Sequence, residues 1–161
     1  MSVRFLHYSG KPVHAVESAS QDGVRFKPNG FWFSIEGEND WKSWCEIEKF
    51  QLQNLAFVHE LTFKRNANIL WLKGPSQIDL FHAQYTARPY DRDFAPNYID
   101  WKRVAEKHQG IVIAPYCWAR RLDGPAHDWY YSWDCASGCL WDASAIERIA
   151  LDPLANAAAV A

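Results

Sequence analysis

The run WYYSWDCASGCLWD, residues 129–142, carries five aromatic residues, two cysteines and a glycine around one isolated acid, Asp134. Its apolar, aromatic composition reads as one or two strands, WYYSWDC and GCLWD, broken at Ala136-Ser137-Gly138. Asp142 closes the run and suits a cap on the next segment. Asp134 has no such simple place. A buried, unpaired carboxylate costs several kcal/mol in effective terms, roughly, so it must be neutral, paired or used.

Outward from this run, IVIAPYCW (111–118) reads as a buried strand and RRLDGPAHD (120–128) as a loop. YIDWKRVAEKHQG predicts the clearest helix of the chain over 98–110, with Ile99, Trp101, Val104 and Ala105 as its apolar stripe and Gly110 as its stop. ASAIERI (143–149) is expected to be a closing helix capped by Asp142 or Ser144, and 151–161 an alanine-rich flexible tail. Towards the N-terminus, VRFLHYS (3–9) and VRFKPNGFWFSI (24–35) read as strands, the second entered through a turn at Pro28-Asn29-Gly30. ENDWKSWCEIEKF (38–50) predicts a helix capped by Asn39 or Asp40. LAFVHELTF (55–63) and NILWLK (68–73) suggest a hairpin across KRNAN, SQIDLFHAQY (76–85) a short helix, and RPYDRDFAPNY (88–98) a loop. Six or seven short strands with two to four helices give an α+β class, in a single domain over 1–150.

Composition narrows the function. At 161 residues, 48% hydrophobic and 22% charged, the chain can bury a proper core. A formal charge of −2 gives no general reason to expect nucleic-acid binding, and TFKRN (62–66) and WARR (118–121) are short basic clusters that suit a solvated face. No stretch approaches the roughly 18 apolar residues of a membrane helix, and the start MSVRFLHYSG lacks the apolar core of a signal peptide. A cytoplasmic protein with four free thiols is therefore expected. Nine Trp, nine Phe and seven Tyr exceed what an ordinary core needs, and they suit a pocket for planar ligands or a protein interface as well as an aromatic core.

Familiar chemistry is mostly excluded. Cys117, His127, Cys135 and Cys139 fall within 23 residues but lack the paired C-x2-C spacing of structural zinc, so no metal is expected. There is no G-x-S-x-G, no phosphate-binding G-x-x-x-x-G-K-[ST] and no G-x-G-x-x-G after a strand. What remains is LHYSG at the end of the first strand, NGFWFS in the second and SWDCASGCLW near the end, each with a polar residue against an aromatic strand.

These stretches resemble ADP-ribosyltransferases of the histidine-type, diphtheria-toxin/PARP-like branch, and small phage-borne members in particular. LHYS is similar to their FHTS-like opening, GFWFS to their GxxFFA-like second strand, and DCASGCLW to their late acid followed by a G-x-C strand. DWKRVAEKHQGIVIAP resembles the helix–strand step that precedes that acid. The matches run in order through most of residues 4–142. The sequence departs from the pattern in having Asp134 where glutamate is usual and Tyr8 where Thr or Gly is common, and no residue matches the second conserved tyrosine.

The resemblance implies two small, mostly antiparallel sheets packed together with a few helices. It also implies NAD as substrate, a macromolecular acceptor such as a protein, and a role as a toxin or phage anti-defence effector. Asp134 would stabilise the ribosyl cation and His7 would donate to a ribose hydroxyl. Tyr8 and Ser9 would join His7 at the cofactor, and Gly30, Trp32, Phe33 and Ser34 would shape its pocket. Tyr85, Trp32 and Trp44 are the candidates to stack on nicotinamide, and Arg4 or Arg25 could meet the pyrophosphate. Two alternatives stay open for the whole: a non-catalytic nucleotide- or protein-binding module, and an enzyme resembling RNA 2′-phosphotransferases. For Asp134 itself, an ion pair with Arg120 or Arg121, or a turn cap at 136–138, is the alternative role.

Overall fold

In the computed structural model, residues 3–87, 97–123, 127–153 and 155 are described. In chain order the strands are β1 (Phe5–Ser9), β2 (Val24–Arg25), β3 (Phe31–Ile35), β4 (Phe57–Phe63), β5 (Ile69–Leu72), β6 (Thr86–Ala87), β7 (Tyr98–Asp100), β8 (Gly110–Ile113), β9 (Ser137–Leu140) and β10 (Ile146–Leu151). The helices are α1 (Trp41–Glu48), α2 (Pro75–Tyr85), α3 (Trp101–Ala105), α4 (Trp118–Arg121) and α5 (Asp128–Tyr131).

The class is α+β. A seven-stranded mixed sheet runs in the order β10-β4-β1-β3-β9-β8-β5, and a three-stranded antiparallel sheet in the order β2-β7-β6. The larger sheet is built around a continuous apolar run: all four residues of β8 are buried, as are all four of β9. Such runs suit strands covered on both faces. Gly138 lets β9 lie directly under the Phe33 ring, since a Cβ there would come within 2.4 Å of Phe33 Cζ. Trp101, Trp129, Trp133 and Tyr130 are the largest fully buried side chains, so aromatic mass fills much of the core.

Several sequence expectations are corrected. The first half of the 129–142 run is not a strand: α5 ends at Tyr131 and a turn comes next. Trp129, Tyr130 and Trp133 are all buried, and their i, i+1, i+4 spacing places them on one face of a helical turn. β4 and β5 do not form a hairpin. Both edges of β4 are occupied, by β1 and β10, so the chain carries β5 to the far edge of the sheet, where it pairs in parallel with β8. The long helix expected at 98–110 is five residues, because Asp100 ends a short strand and caps the helix through the Arg103 N–H.

At the C-terminal end, the closing helix is a 3₁₀ turn at Ala143–Ala145 followed by β10, an edge strand on β4. The expected strand 111–118 ends at Ile113, and Trp118 with the first two residues of the expected loop 120–128 belongs to helix α4. The sheets number seven and three strands rather than two small ones, and ten strands stand among the described residues. Most of the 88–98 loop, residues 124–126 and nearly all of the tail lie outside the described residues. No helix among the described residues is long and apolar enough to cross a membrane.

Candidate functional site

β1, β3 and β9 lie side by side, with Leu6 opposite Ser34 and Ser34 opposite Ser137. This register brings the first, second and last sequence motifs to one place. His7, Tyr8, Trp32, Phe33, Ser34 and Asp134 line a single cavity of about 300 Å³, at the small end for a ligand pocket. Residues from opposite ends of the chain thus face one space.

The His7 imidazole is fixed on two sides. Its ring lies against Phe31 with centroids 4.1 Å apart, and its Nδ1 is 2.7 Å from the Trp32 carbonyl oxygen. A carbonyl has no proton to give, so Nδ1–H donates and fixes the tautomer. Burial holds the ring's pKa below the ordinary histidine value. His7 is therefore neutral at pH 7, and Nε2 offers a lone pair. In this tautomer Nε2 carries no proton, whereas the resemblance implied a donor.

Asp134 sits in the turn between α5 and β9, about a quarter exposed. Two cations approach it, Arg121 Nη1 at 3.5 Å and Lys27 Nζ at 3.9 Å, both beyond good hydrogen-bond distance. Arg121 is fixed by a 2.9 Å bond to the Tyr116 hydroxyl. Arg120, the other expected partner, belongs to Asp79. Asp134 is thus neither isolated nor locked.

Ser34 is buried, and its Oγ accepts from the Trp41 N–H at 2.9 Å, which ties the start of α1 to β3. Asp40 caps that helix by accepting from the Ser43 N–H. Cys135 also lines the cavity, but burial pushes its thiol up to about 12. It stays protonated at neutral pH, so it is no ready nucleophile.

Other expected residues fall elsewhere. Tyr85 is buried on α2 among Phe81 and Arg103, away from the cavity. Ser9 donates to the Lys11 carbonyl. Gly30 has a structural reason: its φ is +149°, and a Cβ would meet the Leu140 carbonyl oxygen at 2.2 Å. Trp44 stacks on Trp41 at 5.0 Å and does not itself line the cavity. Arg4 is engaged by Glu36, Glu60 and Asp152, and Arg25 by Asp22 and Asn29.

Sequence reading missed Lys27, Trp41, Gln51, Asn54 and Ser137, all of which line the cavity. Lys27 stands two residues before NGFWFS and outside that motif. Gln51 and Asn54 belong to a turn that no motif marks, with Gln51 at φ +43°. Among the described residues no three His, Cys, Asp or Glu side chains are grouped to hold a metal ion. No family model, no curated protein and no solved structure matches this chain.

Proposed function

We propose that this chain uses NAD⁺ to ADP-ribosylate a macromolecular acceptor, a protein in the first instance. The observation that carries the reading is the meeting of His7, Ser34 and Asp134 in one aromatic-walled cavity. The bond between nicotinamide and ribose breaks with its electron pair leaving on nicotinamide, which departs neutral. The ribose carbon becomes cationic until the acceptor's nucleophile adds to it and loses a proton. No strong acid is needed for that leaving group. What helps is a dry, oriented site with negative charge beside the cation.

In this scheme Asp134 supplies the charge. The carboxylates of glycoside hydrolases stabilise a comparable cation, an analogy of chemistry alone. His7 Nε2 accepts from a ribose hydroxyl, and its bond to the Trp32 carbonyl holds that orientation. Trp32 and Trp41 offer flat walls, and burial keeps the Tyr8 hydroxyl protonated and able to donate. Labelled NAD⁺ incubated with a cell lysate should give a labelled band that Asp134→Asn removes. Absence of both label transfer and nicotinamide release would refute the proposal.

A second reading has its own support. Asp134 already faces two cations, as the carboxylate of a pure nucleotide-binding module could. NAD⁺ binding without nicotinamide release, unchanged in Asp134→Asn, is the outcome that reading requires.

A further inference from the structure

Lys27 is the least explained charged residue of the cavity. Its side chain is 40% exposed, and its ammonium lies 5.2 Å above the Trp32 ring. Burial lowers its pKa, so the charged form is held at a cost that the nearby Asp134 charge and the indole face offset only in part. At 3.9 Å from Asp134 it is too far for a hydrogen bond, whereas a committed ammonium–carboxylate pair closes to roughly 2.7–2.9 Å. Arg121, at 3.5 Å, already counters Asp134 more closely. Lys27 therefore carries surplus positive charge and unspent donors into the cavity.

The other arginines that could serve an anion there are occupied. Arg4 joins three carboxylates, Arg25 joins Asp22 and Asn29, and Arg120 grips Asp79 through both nitrogens. Among the described residues Lys27 is the single cation lining the cavity. We infer that Lys27 forms a phosphate subsite, and that its ligand is the pyrophosphate of a dinucleotide. The flexible stem lets the ammonium swing from Asp134 to a phosphate oxygen, leaving the carboxylate free for the ribosyl cation. The identity of the anion rests on the NAD⁺ reading, but the existence of an anion subsite does not.

The test compares wild type with Lys27→Met, Lys27→Gln and Lys27→Arg, each checked for folding by thermal melting. Inorganic pyrophosphate, ADP-ribose, nicotinamide and NAD⁺ are titrated separately. Pyrophosphate and ADP-ribose should bind wild type and weaken about tenfold or more in the neutral variants, the scale of a charge-assisted hydrogen bond. Lys27→Arg should stay within a few-fold of wild type, and nicotinamide should be indifferent to all three. Lys27-dependent pyrophosphate binding with no NAD⁺ binding would keep the subsite and remove the dinucleotide. Equal affinities in wild type and Lys27→Met, or no binding of pyrophosphate and ADP-ribose to wild type, would overturn the inference.

Discussion

Two aspartates of this molecule each lie near an arginine, and they behave differently. Asp79 on α2 takes both oxygens to Arg120, at 2.6 and 2.7 Å, in a two-pronged bond. Its Oδ1 also lies 3.1 Å from His127 Nε2, off the angle of a hydrogen bond. His127 in turn faces Asp123 at 3.1 Å, and His82 accepts from the Trp129 indole N–H. That region joins α2, α4 and the start of α5 through short, direct contacts. Asp134 sits in a cavity wall, with its two cations at 3.5 and 3.9 Å. A carboxylate used to hold a fold is closed by its partners, and one available to a ligand is balanced without being closed. That difference, more than its aromatic neighbours, singles out Asp134.

The largest effect should come from exchanging roles between these two residues. Asp134→Asn removes the charge beside the ribosyl cation and should slow nicotinamide release by about 10²-fold or more, the range for one transition-state contact. Its melting temperature should barely move. Asp79→Asn should lower the melting temperature and leave nicotinamide release intact. The comparison breaks if Asp134→Asn fails to fold while keeping activity in its soluble fraction.

Next in size is His7. His7→Ala loses one acceptor and the ring packed on Phe31, and kcat/KM for NAD⁺ should fall about tenfold to a hundredfold. His7→Gln, which can still present an acceptor oxygen, should recover part of that loss. Equal damage in both variants would mean that the ring's packing, not its lone pair, is what matters.

A smaller effect concerns pH. Burial holds His7, His59, His82 and His108 below the ordinary histidine pKa. In the unfolded chain they take up protons near pH ~6.5, while in the folded chain they do so only at lower pH. Between those values the unfolded state binds more protons, so stability falls as pH drops below ~6.5, with no dependence from these groups above it. Melting curves across pH 5–8 check the sign. Nicotinamide release, which needs neutral His7, should persist on the acid side of ~6.5. A loss centred on that value would contradict the buried, neutral imidazole.

Part of the candidate site's cavity lining was legible in the sequence, and less of the fold around it. LHYS, GFWFS and the late Asp134 are local signals, and the sheet register brings them together as adjacent strands would. Strand order was hidden because it depends on tertiary pairing. Nothing in LAFVHELTF or NILWLK says that β1 and β10 occupy both edges of β4, and the short turn between them mimics a hairpin. The aromatic run misled for a related reason: Trp and Tyr favour strands, yet burial of Trp129, Tyr130 and Trp133 on one face imposes a helical turn. Tyr85 could not be assigned without knowing which face of α2 meets the core. Lys27 was passed over because a lone lysine before a proline turn carries no motif.

The most direct test of NAD⁺ use is calorimetric titration of the wild-type protein with NAD⁺, and then with nicotinamide. Saturable binding of NAD⁺ at one site per chain is the predicted result, with nicotinamide competing for it. Absence of any heat at millimolar NAD⁺, with the protein shown to be folded, would contradict it.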